Sequence, residues 1–334
     1  MSSKNDPSIL DEVLACAESH FQKPVLKHSA PGGDKRAVFR LQFEDQSVIA
    51  SKRPNYRRTH MEAVVLSRLS AHCDVVPRCL GLVDHVFFQS DVGEHRLNVE
   101  IAARKGKACK DLAGEAVATI FKYQSAAELA ELDRIVPPLG ATPDWVAGFV
   151  AAARKIEGDT TELDPSLDVP ALCAALAQPA RTFLKWDCRS GNAAIGHDRK
   201  LRWFDFEYAG LRHGAEDIAW LLGDETWPMI PSVMEEIVRD ALPATTPGGK
   251  ERYMDYLALY MTFHCAQRLE LIHRKFDEDG WVSRKRIRKY DFLGVHPDFG
   301  SLLAEAGAFY AERSPLTRPL VRNFERARDA FDAF

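Results

Sequence analysis

Along the first hundred residues the spacing of apolar positions changes character repeatedly. The stretch "ILDEVLACAESHF" places apolar side chains at intervals of three and four, as a short amphipathic helix does. From about residue 25 to 53 the period falls to two. "VLKHSA", "AVFRLQF" and "SVIASKR" read as strands, separated by turn-rich "PGGDK" and "EDQ". "HMEAVVLSRLSAH" (60–72) returns to helical spacing, and "CLGLVDHVFF" and "HRLNVEIA" are two further strand-like runs. The expectation is a small sheet with one helix inserted after its third strand.

The remainder reads as helix. "LAGEAVATIFKYQSAAELAEL", "DWVAGFVAAARKI", "VPALCAALAQ", "EDIAWLLG", "VMEEIVRDAL" and "ERYMDYLALYMTFHCAQRLELIHRKF" all carry helical periodicity. One β signal interrupts them, where "NAAIG" and "LRWFDF" flank the turn "HDRK". The pattern predicts an α+β chain of two lobes with a cleft between them, a favoured place for a ligand. The N-terminal lobe, mainly antiparallel sheet with one helix, is expected over 1–101, a hinge over 102–107 and a helical lobe over 108–334.

A length of 334 residues suits one large or two modest domains. A net charge of −4 points to neither nucleic acid nor an anionic membrane as partner. No apolar run approaches a membrane span, and the N-terminus lacks the pattern of a signal peptide. Seven scattered cysteines, never in a C-x-x-C pair, are expected to be reduced thiols in a cytoplasmic protein. Oligomeric state is not legible.

Candidate chemistry concentrates in "FLKWDCRSGNAAIGHDRKLRWFDFEYAG" (183–210). A tight hairpin there folds Asn192 and Asp205 back toward each other at the cleft. One amide oxygen and one carboxylate form a partial site for Mg²⁺, a hard ion that takes substrate phosphates as further ligands. Asp187, just before the pair, is placed to accept a proton from a hydroxyl lined up on that phosphate.

"KWDCRSGN" followed by "FDFE" resembles the H-x-D-x-x-x-x-N and D-[FW]-E motifs of the aminoglycoside phosphotransferase/choline kinase family, relatives of the protein kinases. The resemblance implies a two-lobed kinase-like fold and transfer of the ATP γ-phosphate to a hydroxyl of a metabolite or antibiotic. It makes Asp187 the base, Asn192 and Asp205 the Mg²⁺ ligands, and Glu207 the acid of the second motif. Arg189 falls where protein kinases often carry a lysine facing the transferred group. Lys52, ending "VIASK", and Glu62 in "HMEAVVLSRL" match the lysine–glutamate pair that holds the nucleotide phosphates. "VVPRCLGL" matches the entry into the fourth strand. Glu100 and Ile101, in "LNVEIA", match the hinge against adenine, and Gly32 and Gly33 are all that stands for a glycine-rich loop. Asp217 matches a helix-starting aspartate that caps its helix and bonds the catalytic loop.

Lys185 and Trp186 depart from the usual histidine and glycine, so a pseudokinase, a nucleotide-binding or interaction module without transfer, is the competing reading. Gly32 and Gly33 also read as a plain hairpin turn, and Lys52–Glu62 as a surface ion pair. His264 and Arg268, on the long helix, read as core or as acceptor-pocket residues. The basic run "SRKRIRK" (283–289) reads as a solvated face or as a reader of an anionic acceptor. That run weighs mildly against a polycationic acceptor and toward a sugar or another neutral-to-anionic metabolite.

Overall fold

The computed structural model describes residues 8–31, 33, 37–158, 162–177 and 182–334. Helix α1 (Ile9–Phe21) begins on a Ser8 capping box and packs on the outer face of an antiparallel sheet. The strands of that sheet are β1 (Lys27–Ser29), β2 (Val38–Gln42), β3 (Ser47–Ser51), β4 (Cys79–Val83) and β5 (Val86–Ser90), ordered β1-β2-β3-β5-β4. Helix α2 (Tyr56–Leu69) follows β3, as expected. The run taken as one strand, "CLGLVDHVFF", is a hairpin instead. Asp84 and His85 both take positive φ (47° and 68°) and turn β4 back on β5.

Period-two alternation divides the sheet's residues between two environments. Phe39, Leu41, Val48 and Ala50 are buried against α1. Val38, Arg40, Ile49 and Ser51, one position out of phase, face the cleft between the lobes.

The second run expected as strand, "HRLNVEIA", pairs only through β6 (His95–Arg96) and then becomes helix α3 (Leu97–Ala102). With Leu97, Asn98 and Ile101 buried, the apolar spacing there fits one helical face as well as a strand. Helix α4 (Gly106–Leu129) runs through the core of the helical lobe. α5 (Pro143–Ala151) and α6 (Val169–Leu176) follow. Strand β7 (Thr182–Leu184) leads into the candidate catalytic loop and pairs with β10 (Gly210–Arg212). Between them the expected ribbon forms from β8 (Ala193–Ile195) and β9 (Leu201–Trp203), with β6 as its third strand. The buried Trp203 anchors it, donating from Nε1 to Thr119 Oγ1 on α4 at 2.9 Å.

The chain closes with α7 (Ala215–Leu222), α8 (Pro231–Ala241), the 31-residue α9 (Gly249–Asp279), α10 (Arg284–Tyr290), α11 (Pro297–Ala311) and α12 (Val321–Asp332). α9 packs on α7 and α11, and α11 on α12. Among the described residues no helix is long and apolar enough to cross a membrane.

His264 and Arg268 belong to this core and not to the cleft. His264 lies between Trp220 and Tyr260 with neither ring nitrogen hydrogen-bonded, and Arg268 pairs with the buried Glu225. Burial, helped by Arg268, pushes the His264 imidazole down to about 3; burial beside Arg212 and Arg252 puts His213 at about 4. Unfolded histidine titrates near 6.5, so below that pH the unfolded chain takes up protons the native chain refuses. Stability should be fully present above pH 6.5 and fall on acidification, by about 1.4 kcal/mol per pH unit for each histidine. Urea unfolding at pH 7 and 5.5 should show this loss, and His264→Phe should remove about half of it. An unchanged slope would mean that His264 protonates within the native fold.

Candidate active site

The candidate catalytic loop sits in an unusual backbone state. Trp186 and Asp187 have φ of 57° and 48°, and Asp205 across the ribbon has 68°. Left-handed backbone is unfavourable for residues with a Cβ and persists where surrounding bonds fix it. Here Asp217 fixes it. Its buried carboxylate accepts from the backbone N–H of Lys185 and of Trp186, both at 2.9 Å, and from the Tyr123 hydroxyl at 2.6 Å. Helix α7 begins at Ala215, so Asp217 bonds the loop as expected but does not cap its helix. Lys185 supports the same loop from inside. It is fully buried, and its Nζ donates to the Asp187 carbonyl at 3.0 Å above the Phe206 ring.

Around Asp187 the side chains converge. Arg189 Nε donates to its Oδ1 at 2.7 Å and Asn192 Nδ2 to its Oδ2 at 3.0 Å. Burial would raise the Asp187 carboxyl, but the Arg189 charge and hydrogen bond outweigh it and hold the group below its ordinary value. It is therefore an ionised acceptor at neutral pH. Arg189 also reaches Asp291 at 3.3 Å, and Ser190 donates to Asp224. Cys188 is a buried spacer against Tyr123, its thiol pushed up by burial.

The end of the ribbon carries both Asn192 and Asp205. Phe204 N–H donates to the Asn192 carbonyl at 3.0 Å, and both side chains line the cleft with Asp187 and Glu207. The cleft encloses about 1360 Å³.

The lysine–glutamate pair needs correction. Lys52 points away from the cleft and pairs with Glu12 of α1. Arg53 takes the interior place: its guanidinium pairs with the fully buried Glu62, with Asp205 at 2.7 Å and with Glu207 at 3.3 Å. Strand alternation is the cause, since Ile49, Ser51 and Arg53 share the cleft face while Val48, Ala50 and Lys52 share the other. Glu62 also accepts from Phe206 N–H at 2.9 Å, joining α2 to the segment after the ribbon. Burial raises both Glu62 and Glu207 despite Arg53, and the Asp205 charge adds to each shift. Three carboxylates thus share one guanidinium. A hard divalent cation fits that excess negative charge and its all-oxygen donors.

Glu100 lines the cleft edge and pairs with His95 and Arg104. Ile101 does not; the helical turn of α3 buries it fully in the core. Gly33 takes φ 83° and its N–H bonds the Ala30 carbonyl, closing a turn whose Pro31 borders the cleft, and Gly32 lies outside the described residues. Sequence reasoning missed Arg53, for which alternation was the available signal. It also missed Asp291, and Arg58, which lies over Tyr208 at 4.3 Å and donates to its hydroxyl.

Asp217→Asn should destabilise the fold by about 2–3 kcal/mol, since a buried charged acceptor of several donors is lost. Denaturant melts check this; an unchanged midpoint would mean that the loop holds its shape without the carboxylate.

No protein-family model and no characterised protein matches the sequence. Solved structures do match the fold. An aminoglycoside 2'-phosphotransferase-IIIa mutant in complex with GDP superposes with TM-score 0.57 at 14% identity, over 90% of this chain and 98% of that one. A macrolide 2'-phosphotransferase from Brachybacterium faecium gives 0.53 at 15%, over 85% and 98%. An AMP-bound spectinomycin phosphotransferase gives 0.51 at 9%, over 95% and 97%. With its front sheet, helical rear and intervening cleft, the chain has the two-lobed fold of the aminoglycoside phosphotransferases and their kinase-like relatives.

Proposed function

We propose that the protein is an ATP-dependent phosphotransferase acting on a hydroxyl of a small molecule. The observation that carries this reading is the convergence, in one cleft, of an ionised Asp187 with Asn192, Asp205 and Glu207. In this reading the sheet lobe holds the nucleotide and the helical lobe the acceptor. Fold relatives bound to GDP and to AMP support a nucleotide site in this fold.

The residues have distinct roles. Asp187 accepts the proton of the acceptor hydroxyl, with Arg189 and Asn192 fixing its carboxylate. Arg53 neutralises phosphate oxygens in place of the expected Lys52, and Glu62 orients it. Asn192 and Asp205, with Glu207 beside them, would hold Mg²⁺, which when bound supplies charge neutralisation at the phosphates. Positioning and charge stabilisation account for most of such catalysis, because the transition state is loose.

Asp187→Ala should abolish transfer while leaving the affinity for ATP with Mg²⁺ within about threefold, because the base acts on the acceptor. Retained turnover would remove Asp187 from the base role. Arg53→Ala should lower kcat by about 10²–10³, the usual scale for losing one fixed charge donor. Lys52→Ala should leave kcat near wild type; the reverse ranking would overturn the assignment of Arg53. Thermal shifts with ATP, with and without Mg²⁺, separate the second reading, which Arg53 on Asp205 favours. Stabilisation by ATP that ignores the metal, without product, would identify a binding module.

A further inference from the structure

Helix α10 places a basic face in the same cleft. Arg284, Lys285, Arg288 and Lys289 all line it, at spacings that put Arg284 over Arg288 and Lys285 over Lys289. Like charges four apart on a helix repel, and little on this face offsets that. Arg284 pairs with Asp298 at 2.7 Å, but Lys285, Arg288 and Lys289 form no salt bridge among the described residues, the Asp224 charge acting on Arg288 only at longer range. The Arg288 Nε is buried without a hydrogen bond, its side chain lying over Phe299 at 5.1 Å. The cleft as a whole is lined by nine Lys and Arg side chains against six Asp and Glu, although the chain carries −4.

The helix is held against the reacting groups. Asn98 of α3 donates to the Arg288 carbonyl at 3.0 Å, and Asp291, just beyond α10, pairs with Arg189 beside Asp187. A Cβ added at Gly191 would lie 1.9 Å from Asp291 Oδ1, so the loop and the end of α10 are in direct contact. The basic face therefore belongs to the helical lobe, at the catalytic loop, while Arg53 comes from the sheet lobe opposite.

We propose that the acceptor carries an anionic group, a phosphate or carboxylate, and that the Arg284–Lys285–Arg288–Lys289 face of α10 binds it while Asp187 receives its hydroxyl proton. Guanidinium forks and ammonium groups together suit such a group. The inference rests on the phosphotransfer reading for its chemistry, but its binding claim is tested separately.

The test pairs sugar monophosphates and hydroxycarboxylates with their uncharged parent sugars and polyols, and adds choline and an aminoglycoside as cations. Calorimetric binding is measured to the full chain with Mg²⁺ and a non-hydrolysable ATP analogue, and product is followed with ATP. At least one phosphorylated or carboxylated compound should bind at least tenfold more tightly than its neutral parent, and the two arms tell which group is read. Lys285→Glu/Lys289→Glu should weaken that binding at least tenfold and leave the affinity for the ATP analogue within twofold. Lys285→Arg/Lys289→Arg should retain acceptor binding, separating charge from misfolding. Binding of an anion that the reversal abolishes, without phosphorylated product, keeps this inference and removes the phosphotransfer reading. Preference for neutral or cationic compounds, no anion binding, or an equal loss of nucleotide affinity in the reversal variant overturns it.

Discussion

The contact between Arg53 and its three carboxylates ties the lobes of this molecule together. Arg53 leaves strand β3 of the sheet, Glu62 comes from α2, and Asp205 and Glu207 come from the far end of the ribbon in the helical lobe. A buried carboxylate such as Glu62 is tolerable only with a counter-charge or hydrogen bonds close by. Arg53 and the Phe206 amide supply both, so the position of β3 relative to the ribbon is set by electrostatic necessity as much as by packing.

The catalytic loop meets a second constraint in a different way. Trp186 and Asp187 are consecutive non-glycine residues in left-handed backbone, and Asp217 anchors the turn by collecting the amides of Lys185 and Trp186 on one carboxylate. Lys185 adds a bond to the Asp187 carbonyl from beneath. Its replacement of the usual histidine thus keeps a hydrogen-bond donor under the loop while changing its chemistry. Burial of an ammonium group is offset by two carbonyls and the Phe206 ring. Local bonding thus accommodates a lysine at this position.

Much of this was legible in the chain. The sheet, α2, the ribbon and the six central helices follow from period two and period 3.6, and the ribbon's closure carries Asn192 and Asp205 to one cleft. The misplaced site residues share one cause: a residue type was matched without asking which face it occupied. Lys52 fits a motif but falls on the α1 side of β3, and Arg53, one residue on, falls on the cleft side. Ile101 fits a hinge strand but lies on a helical turn. His264 and Arg268, for which core and acceptor pocket were both open, are core, on a helix buried nearly all round there. Helices α10, α11 and α12 went unread although α12 is strongly amphipathic, and with them went the contact of Asp291 with Arg189.

The choice of arginine at the end of β3 has a chemical consequence of its own. An ammonium is a point charge, whereas a guanidinium presents five donors in a fixed fork and keeps its proton. One side chain can therefore bridge three acids from two segments, which a lysine at the same place could not do with equal geometry. Three carboxylates still outnumber the one guanidinium, and burial, with the Asp205 charge adding to it, raises Glu62 and Glu207 despite Arg53. Under the proposed function, a divalent cation at Asp205 and a phosphate at Arg53 would each relieve what the other lacks, the cation answering the carboxylates and the phosphate the guanidinium. On that argument metal and nucleotide should be bound as a pair, and neither well alone.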